Sequence, residues 1–215
     1  MEANRKEIYR YLGFGRAEPD ERTVGLVEEV LAELEKKVTP RNVHKELSCE
    51  QNGEKIILGG ENGFNITSSK LAINLAGCEK AIIFCATLGR EPDLLQKRSM
   101  LTSSARAAAV QAAGAALIEA YCNKINRDFE EQYRGKYFLR PRFSPGYGDF
   151  ALEHQRDFFR LLDIERRLGV ELSEQLLMIP TKTVTAVIGL TNEQGDCNIS
   201  KCAACEKTDC AFRLE

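Results

Sequence analysis

An α+β fold is predicted by three observations. Helical and strand patterns are mixed along the 215 residues without the strict β-α-β alternation that builds a parallel sheet. The run "KAIIFCATLG", Lys80 to Gly89, is apolar almost throughout yet too short for a buried helix, which is the pattern of a strand at the centre of a sheet. From about Ser103 to Gln132 an alanine-rich helical pattern puts Leu117, Ile118, Tyr121, Ile125 and Phe129 on its heavier face. Alanine on its other faces lets neighbouring elements come close, so this helix is expected to be the packed spine.

The remaining elements follow in chain order. The first forty residues read as two helices, Arg5 to Leu12 and a longer one carrying Val24, Val27, Leu31, Leu34 and Val38 at helical spacing, parted by a break at Gly13 and Gly15. This N-terminal helical part is expected to extend to about residue 48. A polar, glycine-containing region from Cys49 to Gly63 holds one short strand, "KIILGG", and "TSSKLAINLAG" is a capped short helix ending at Gly77. After the spine, "KYFLRPRF" reads as a strand, and "LEHQRDFFRLLDIERRLG" as one helix closed by Gly169. "LLMIPTKTVTAVIGLT" gives two short strands around Pro180, the second with alternating β-branched residues. Residues 1–192 are therefore expected to form the body and 193–215 a separate, polar, cysteine-rich tail.

Composition narrows the function. Thirty basic against 32 acidic residues leave no basic stripe to neutralise a phosphate backbone, so nucleic acid is not an expected partner. The stretch "MEANRKEIYRY" has no apolar h-region, and the longest apolar tract, "AAAVQAAGAALI", is interrupted by Gln111 and too short to span a bilayer. A soluble cytoplasmic protein without a membrane partner is expected. Its eight cysteines then read as reduced thiols or metal ligands, with Cys78, Cys85 and Cys122 as small buried hydrophobes.

No catalytic motif is present. There is no G-x-S-x-G elbow and no H-E-x-x-H, and His44 and His154 stand alone. His154, at the start of a predicted helix and seven residues after Tyr147, suits a capping or solvated role or a place in a site. "LGFG" and "LGGENG" lack the Lys-Ser/Thr and the strand-to-helix context of a phosphate loop, and read as turns. The tail is more pointed: Cys197, Cys202, Cys205 and Cys210 form C-x4-C-x2-C-x4-C. Such a compact run can wrap an iron-sulfur cluster, hold zinc, or carry uncommitted thiols.

The nine residues "RFSPGYGDF", Arg142 to Phe150, combine a guanidinium with turn formers and a tyrosine. One reading is a strand-to-helix connection whose arginine pairs with a surface carboxylate. The other is a ligand site, with Arg142 forking onto a carboxylate, the backbone of Ser144, Pro145 and Gly146 against the ligand, and Tyr147 stacking or donating.

This turn, followed by "HQRDFFRLLD" and "LGVELSEQLLMIPTKTVTAVIGL", resembles the reactivation domain of cobalamin-dependent methionine synthase, whose hallmark is an R-x-x-P-G-Y turn that binds S-adenosylmethionine. "RYLGF", "GCEKAIIFCATLG" and the alanine-rich helix extend the resemblance over nearly all of residues 1–195. The resemblance implies a twisted, mainly antiparallel sheet flanked by helices. It implies that Arg142 holds the methionyl carboxylate, that Ser144 and Gly146 offer backbone contacts, that Pro145 shapes the turn, and that Tyr147 lines the pocket. Glu119, in "LIEAY", matches the acidic helix residue that faces the ligand's amino group. Ile188 stands where the family commonly has an aromatic residue.

In the family, the domain presents S-adenosylmethionine to inactive cob(II)alamin while an electron arrives, and methylcobalamin is regenerated. The expected function is thus to activate a cobalamin-dependent methionine synthase core, or another corrinoid protein, that carries the cobalamin. No homocysteine, folate or cobalamin module is visible in the sequence, so the chain is expected to act in trans. An electron donor is a further expected partner, and a cluster on the four tail cysteines is a candidate relay. The alternative is a docking module that holds a corrinoid protein without delivering a methyl group. An ordinary small-molecule methyltransferase is disfavoured, because no opening strand runs through a glycine-rich turn into a helix.

Overall fold

The computed structural model describes residues 2–15 and 17–193. Its main sheet has six strands, every neighbouring pair antiparallel, sandwiched between two helical layers. Two helices come first, α1 (Arg5–Tyr11) and α2 (Glu21–Lys37). Each starts where sequence chemistry says it should: Asn4 Oδ1 accepts from the Lys6 amide at 3.0 Å and Asp20 Oδ1 from the Thr23 amide at 2.7 Å.

The chain then enters β1 (Arg41–Asn52), a twelve-residue strand, which corrects the expected helical reach to residue 48. Only Val43, Leu47 and Cys49 of β1 are buried. Its opposite face is polar because it meets the flank of a helix through hydrogen bonds: Asn42 Nδ2 donates to the Tyr121 hydroxyl at 2.9 Å, and the Tyr133 hydroxyl donates to Glu46 at 2.6 Å. Between them His44 lies edge-on to Phe129, centroids 4.9 Å apart. The apolar alternation that marks a strand is therefore diluted. A hairpin follows, β2 (Lys55–Leu58) and β3 (Phe64–Thr67), the second of which the sequence reading lacked.

Helix α3 (Ser69–Asn74) is capped by Ser68, whose Oγ accepts from the Leu71 amide at 3.0 Å. The strand β4 (Cys78–Thr87) lies in the middle of the sheet as expected, between β1 and the last strand, β8 (Thr183–Thr191). Between them come α4 (Glu91–Met100), unanticipated, the spine α5 (Ser104–Tyr133), and a two-residue edge strand, β5 (Phe138–Leu139). The expected single helix after the turn is broken into α6 (Gln155–Leu162) and α7 (Ile164–Leu168) at Asp163, which takes a left-handed φ of 52°. Gly169, φ 66°, ends the second piece. A separate ribbon, β6 (Glu171–Leu172) with β7 (Met178–Ile179), precedes β8. The sheet order is β3-β2-β1-β4-β8-β5.

Alternation along the central strands divides the interior in two. Ile82, Phe84 and Ala86 of β4, with Ala186, Ile188 and Leu190 of β8, face α1, α2 and α5. Ala81, Ile83 and Cys85, with Val187, face α3, α6 and α7. Each fully buried Phe, Leu or Ile contributes roughly 1.5–3 kcal/mol of transfer free energy, and both layers are rich in them. Cys78, Cys85 and Cys122 are buried as expected, joined by Cys49, whose thiol is pushed up to about 12 by desolvation and, less, by Cys78 and Glu50. These thiols are packing groups. Among the described residues no helix is long and apolar enough to cross a membrane.

Candidate functional site

The segment leading into the Arg142–Phe150 turn runs along the edge of β8 opposite β4. Arg140 donates its amide to the Gly189 carbonyl at 2.9 Å, and Phe143 and Val187 exchange amide-carbonyl bonds at 2.9 and 2.8 Å. Pro141 lies between and has no N–H for the ladder. Arg140 and Arg142 diverge across it. Arg140 Nη2 donates to the Ala76 carbonyl beyond α3 at 2.9 Å, whereas Arg142 reaches α5. There its Nη2 donates to Glu119 Oε2 and Asn123 Oδ1, each at 3.0 Å. The Arg142 side chain is only 9% exposed and Glu119 is 41% exposed. The other terminal nitrogen, Arg142 Nη1, is buried and has no hydrogen-bond partner among the described residues. A buried guanidinium N–H without an acceptor is costly and is a place for an anionic ligand oxygen.

The turn itself is over-determined. The Tyr147 amide donates to the Ser144 carbonyl at 3.1 Å, the Phe150 amide to the Tyr147 carbonyl at 3.0 Å, and the Gly146 amide to the Phe150 carbonyl at 2.7 Å. Gly146 adopts φ 87°, a region favourable to glycine, and a Cβ there would stand 3.2 Å from Leu152 Cδ1. Phe150 is buried against Phe143 and His154. Asp149 fastens the loop to the start of α3: it accepts from Ser68 Oγ at 2.5 Å, from the Ser69 amide and hydroxyl at 2.7 and 2.6 Å, and from the Lys70 amide at 3.2 Å. The two hydroxyl bonds, ahead of the amides, hold its carboxyl well below the usual carboxylate range.

These contacts sort the anticipated residues. Arg142 and Glu119 are brought together. Ser144 and Pro145 lie on the adjoining turn, Pro145 buried. The amide of Gly146, expected to serve a ligand, is used inside the turn, so what Gly146 offers is its missing Cβ. Tyr147 is 54% exposed and stands edge-on to Phe143, centroids 6.1 Å apart. Ile188 is fully buried, paired with Ile82 and facing the α5 layer.

His154 stands at the N-cap position of α6, without a side-chain cap bond. Its ring packs against Phe150 and Phe64, centroids 5.4 and 5.8 Å away, and its Nδ1 is 2.9 Å from Asp157 Oδ2. His44 is a second packed imidazole, its pKa lowered first by burial and then by Arg167. Cys197, Cys202, Cys205 and Cys210 lie outside the described residues.

Two contributors escaped the sequence reading. Asn123 follows Glu119 by four residues, the spacing that puts both on one helical face, so its sharing of Arg142 had a local signal. Asp149 had none, because its partners are about eighty residues away in the chain. A third neighbour, Tyr11, is linked to Glu119 through space. Its hydroxyl is pushed up by burial first, then by the negative charges of Glu7 and Glu119. Tyr11 and Leu12 face Ala108, Gln111, Ala112 and Ala115 of α5 across a groove of about 320 Å³. The small residues of α5 that made it the spine also keep this groove open.

Comparison with known proteins gives a consistent picture. Residues 115–214 match the family model described as "Vitamin B12 dependent methionine synthase, activation domain". Among solved structures, the chain is similar to that titled "Crystal Structure of the MetH Reactivation Domain bound to AdoHcy", with a TM-score of 0.67 and 16% sequence identity, over 91% of this chain and 78% of that one. At that identity the likeness is one of fold. No curated protein matches the sequence.

Proposed function

We infer that this chain, identified over residues 115–214 with the methionine synthase activation-domain family, is an S-adenosylmethionine-binding activation component for a cobalamin-carrying protein. The observation that carries the reading is the Nη1 of Arg142, buried beside Glu119 and without a partner among the described residues, on an R-x-x-P-G-Y turn. The ligand's carboxylate would accept from Nη1, and its ammonium would approach the half-exposed Glu119. One zwitterion thereby meets one cation and one anion already held in place. The structure with bound AdoHcy supports the same ligand class for a domain of this fold.

A corrinoid carried by the partner would supply a cobalt that, after one-electron reduction by an external donor, takes the methyl group from the sulfonium. The activated methyl is part of the ligand, so this chain needs no general base. Its contribution is to bind and orient, which alone can supply a large share of the barrier reduction. The four tail cysteines are proposed as a relay for that electron. Iron and sulfide in anaerobically prepared protein would support the relay, and tightly held zinc without iron would overturn it.

The test is calorimetric titration of S-adenosylmethionine into wild type and into Arg142→Ala with its fold checked by circular dichroism. Saturable binding that the substitution weakens by an order of magnitude or more supports the reading. An anaerobic assay of methyl transfer to cob(II)alamin in a methionine synthase core then tests activation. Absence of binding even with a corrinoid protein present would favour a docking module, which has no use for an unfilled guanidinium.

A further inference from the structure

At the end of the sheet where β4 finishes and β1 and β8 begin, a cavity of about 650 Å³ is lined by four cations, Lys37, Arg41, Arg90 and Arg98, and one carboxylate, Glu91. The chain as a whole carries a formal net charge of −2, so a lining with four positive groups against one negative is a local concentration. Of these four cations only Lys37 has an acidic partner among the described residues, Glu33 at 2.6 Å, while Arg41, Arg90 and Arg98 form no ion pair there.

The frame behind these side chains is well tied. Thr39 donates its amide to the Leu88 carbonyl at 3.1 Å, and Leu88 donates to the Lys182 carbonyl at 3.0 Å. Gly89, φ 81°, lets the chain pass Thr39 so closely that a Cβ would stand 2.8 Å from Thr39 Oγ1. Arg41 Nη2 donates to the Leu168 carbonyl, the last of α7, at 2.5 Å, which fixes its guanidinium with other donors to spare. Arg90 sits at the N-cap of α4 without a side-chain cap, so the positive end of that ten-residue helix adds to the same field.

We propose that this cavity is a second binding site, for a small molecule that carries adjacent phosphate groups. Three guanidinium groups unmatched by acids exceed what one carboxylate can neutralise and suit the forked recognition of phosphate oxygens. The space falls within the range of roughly 300–1,000 Å³ usual for small-molecule sites, and its concavity fits a compact anion better than a flat acidic protein surface. The site is separate from Arg142, whose neighbour Phe143 bridges to Val187, midway along β8.

Pyrophosphate titrated calorimetrically into the full chain tests this, with the double variant Arg90→Gln, Arg98→Gln and, in parallel, Arg142→Ala. Both Arg90 and Arg98 are exposed, so the double variant should fold normally. The expected result is saturable binding that weakens by about tenfold or more in the double variant, because two charge-assisted donors to the anion are lost. It should be unchanged in Arg142→Ala, so failure here is distinguishable from failure at the first site. No saturable binding at millimolar pyrophosphate, or equal binding by the double variant, would overturn the proposal. So would attachment to phosphatidylglycerol vesicles that pyrophosphate does not compete away, because the cations would then serve a surface.

Discussion

Arg142 and Glu119 meet at 3.0 Å where the edge of the sheet faces α5, and the second arm of the same guanidinium is buried without a partner among the described residues. An arginine placed only to join a turn to a helix would be complete once it had reached Glu119 and Asn123. The unused arm is what the carboxylate of the proposed ligand would fill.

Arg142→Ala should lower S-adenosylmethionine affinity by about 10- to 100-fold, the equivalent of one or two charge-assisted bonds. Because Glu119 is 41% exposed, loss of the ion pair should cost less than about 1 kcal/mol of stability. Arg142→Lys retains charge but loses the fork, and its affinity should fall between wild type and Arg142→Ala. Calorimetry and urea melts on the same preparations read both quantities.

Asp149 gives a pH prediction. Its folded-state pKa is depressed, so the unfolded state binds the proton more readily. The contribution to stability is therefore complete above the ordinary aspartate pKa of about 3.9 and is lost as pH falls through the lower folded value. The carboxylate is exposed, and its contribution is discounted accordingly to about 1 kcal/mol. Asp149→Asn should be less stable than wild type at pH 7, with the gap closing below about pH 4. Urea midpoints across that range measure it.

Lys182 shows the opposite sign. It is 6% exposed, its stem crosses Gly114 of α5, and burial lowers its pKa against a smaller opposing effect of Asp93. Between the depressed value and the ordinary lysine pKa the unfolded chain holds more protons, so stability rises with pH through that window. Lys182→Met keeps the apolar stem, removes the buried charge, and should raise stability at pH 7 by about 1 kcal/mol. Its alkaline profile should lack the rise. A stability at pH 7 well below wild type would mean that the ammonium has a favourable role.

Gly63 tests the hairpin that ends at β3. A Cβ there would lie 1.6 Å from the Leu58 carbonyl oxygen, which is backbone and cannot move aside without parting β2 from β3. Gly63→Ala should cost more than about 3 kcal/mol. Gly53→Ala, with open space around the Cβ but a φ of 61°, should cost only about 1 kcal/mol. Thermal melts of the two variants give the comparison.

Much of the architecture was legible locally. Strand β4 was visible as an unbroken apolar run, α5 as a long alanine-rich helix, and α3 from its serine cap. The failures share one cause, which is that the deciding partner is distant. β1 reads as polar because one of its faces meets α5 through Asn42 and Glu46. The break between α6 and α7 rests on one left-handed residue, Asp163, inside an otherwise helical pattern. Of the site, the turn and Arg142 could be seen in the sequence, whereas Asp149 as its anchor could not.

By itself the sequence determined the α+β class, the central strand, the spine helix and the special turn, because hydrophobic period, capping and the φ preferences of Gly and Pro act over a few residues. Only the tertiary structure decided which side of the sheet Arg142 would reach, that its Nη1 would be buried and unmatched among the described residues, and that Arg41, Arg90 and Arg98 would converge on one cavity. Burial and charge convergence belong to packed neighbours, and packing joins residues whose separation along the chain carries no signal of their meeting.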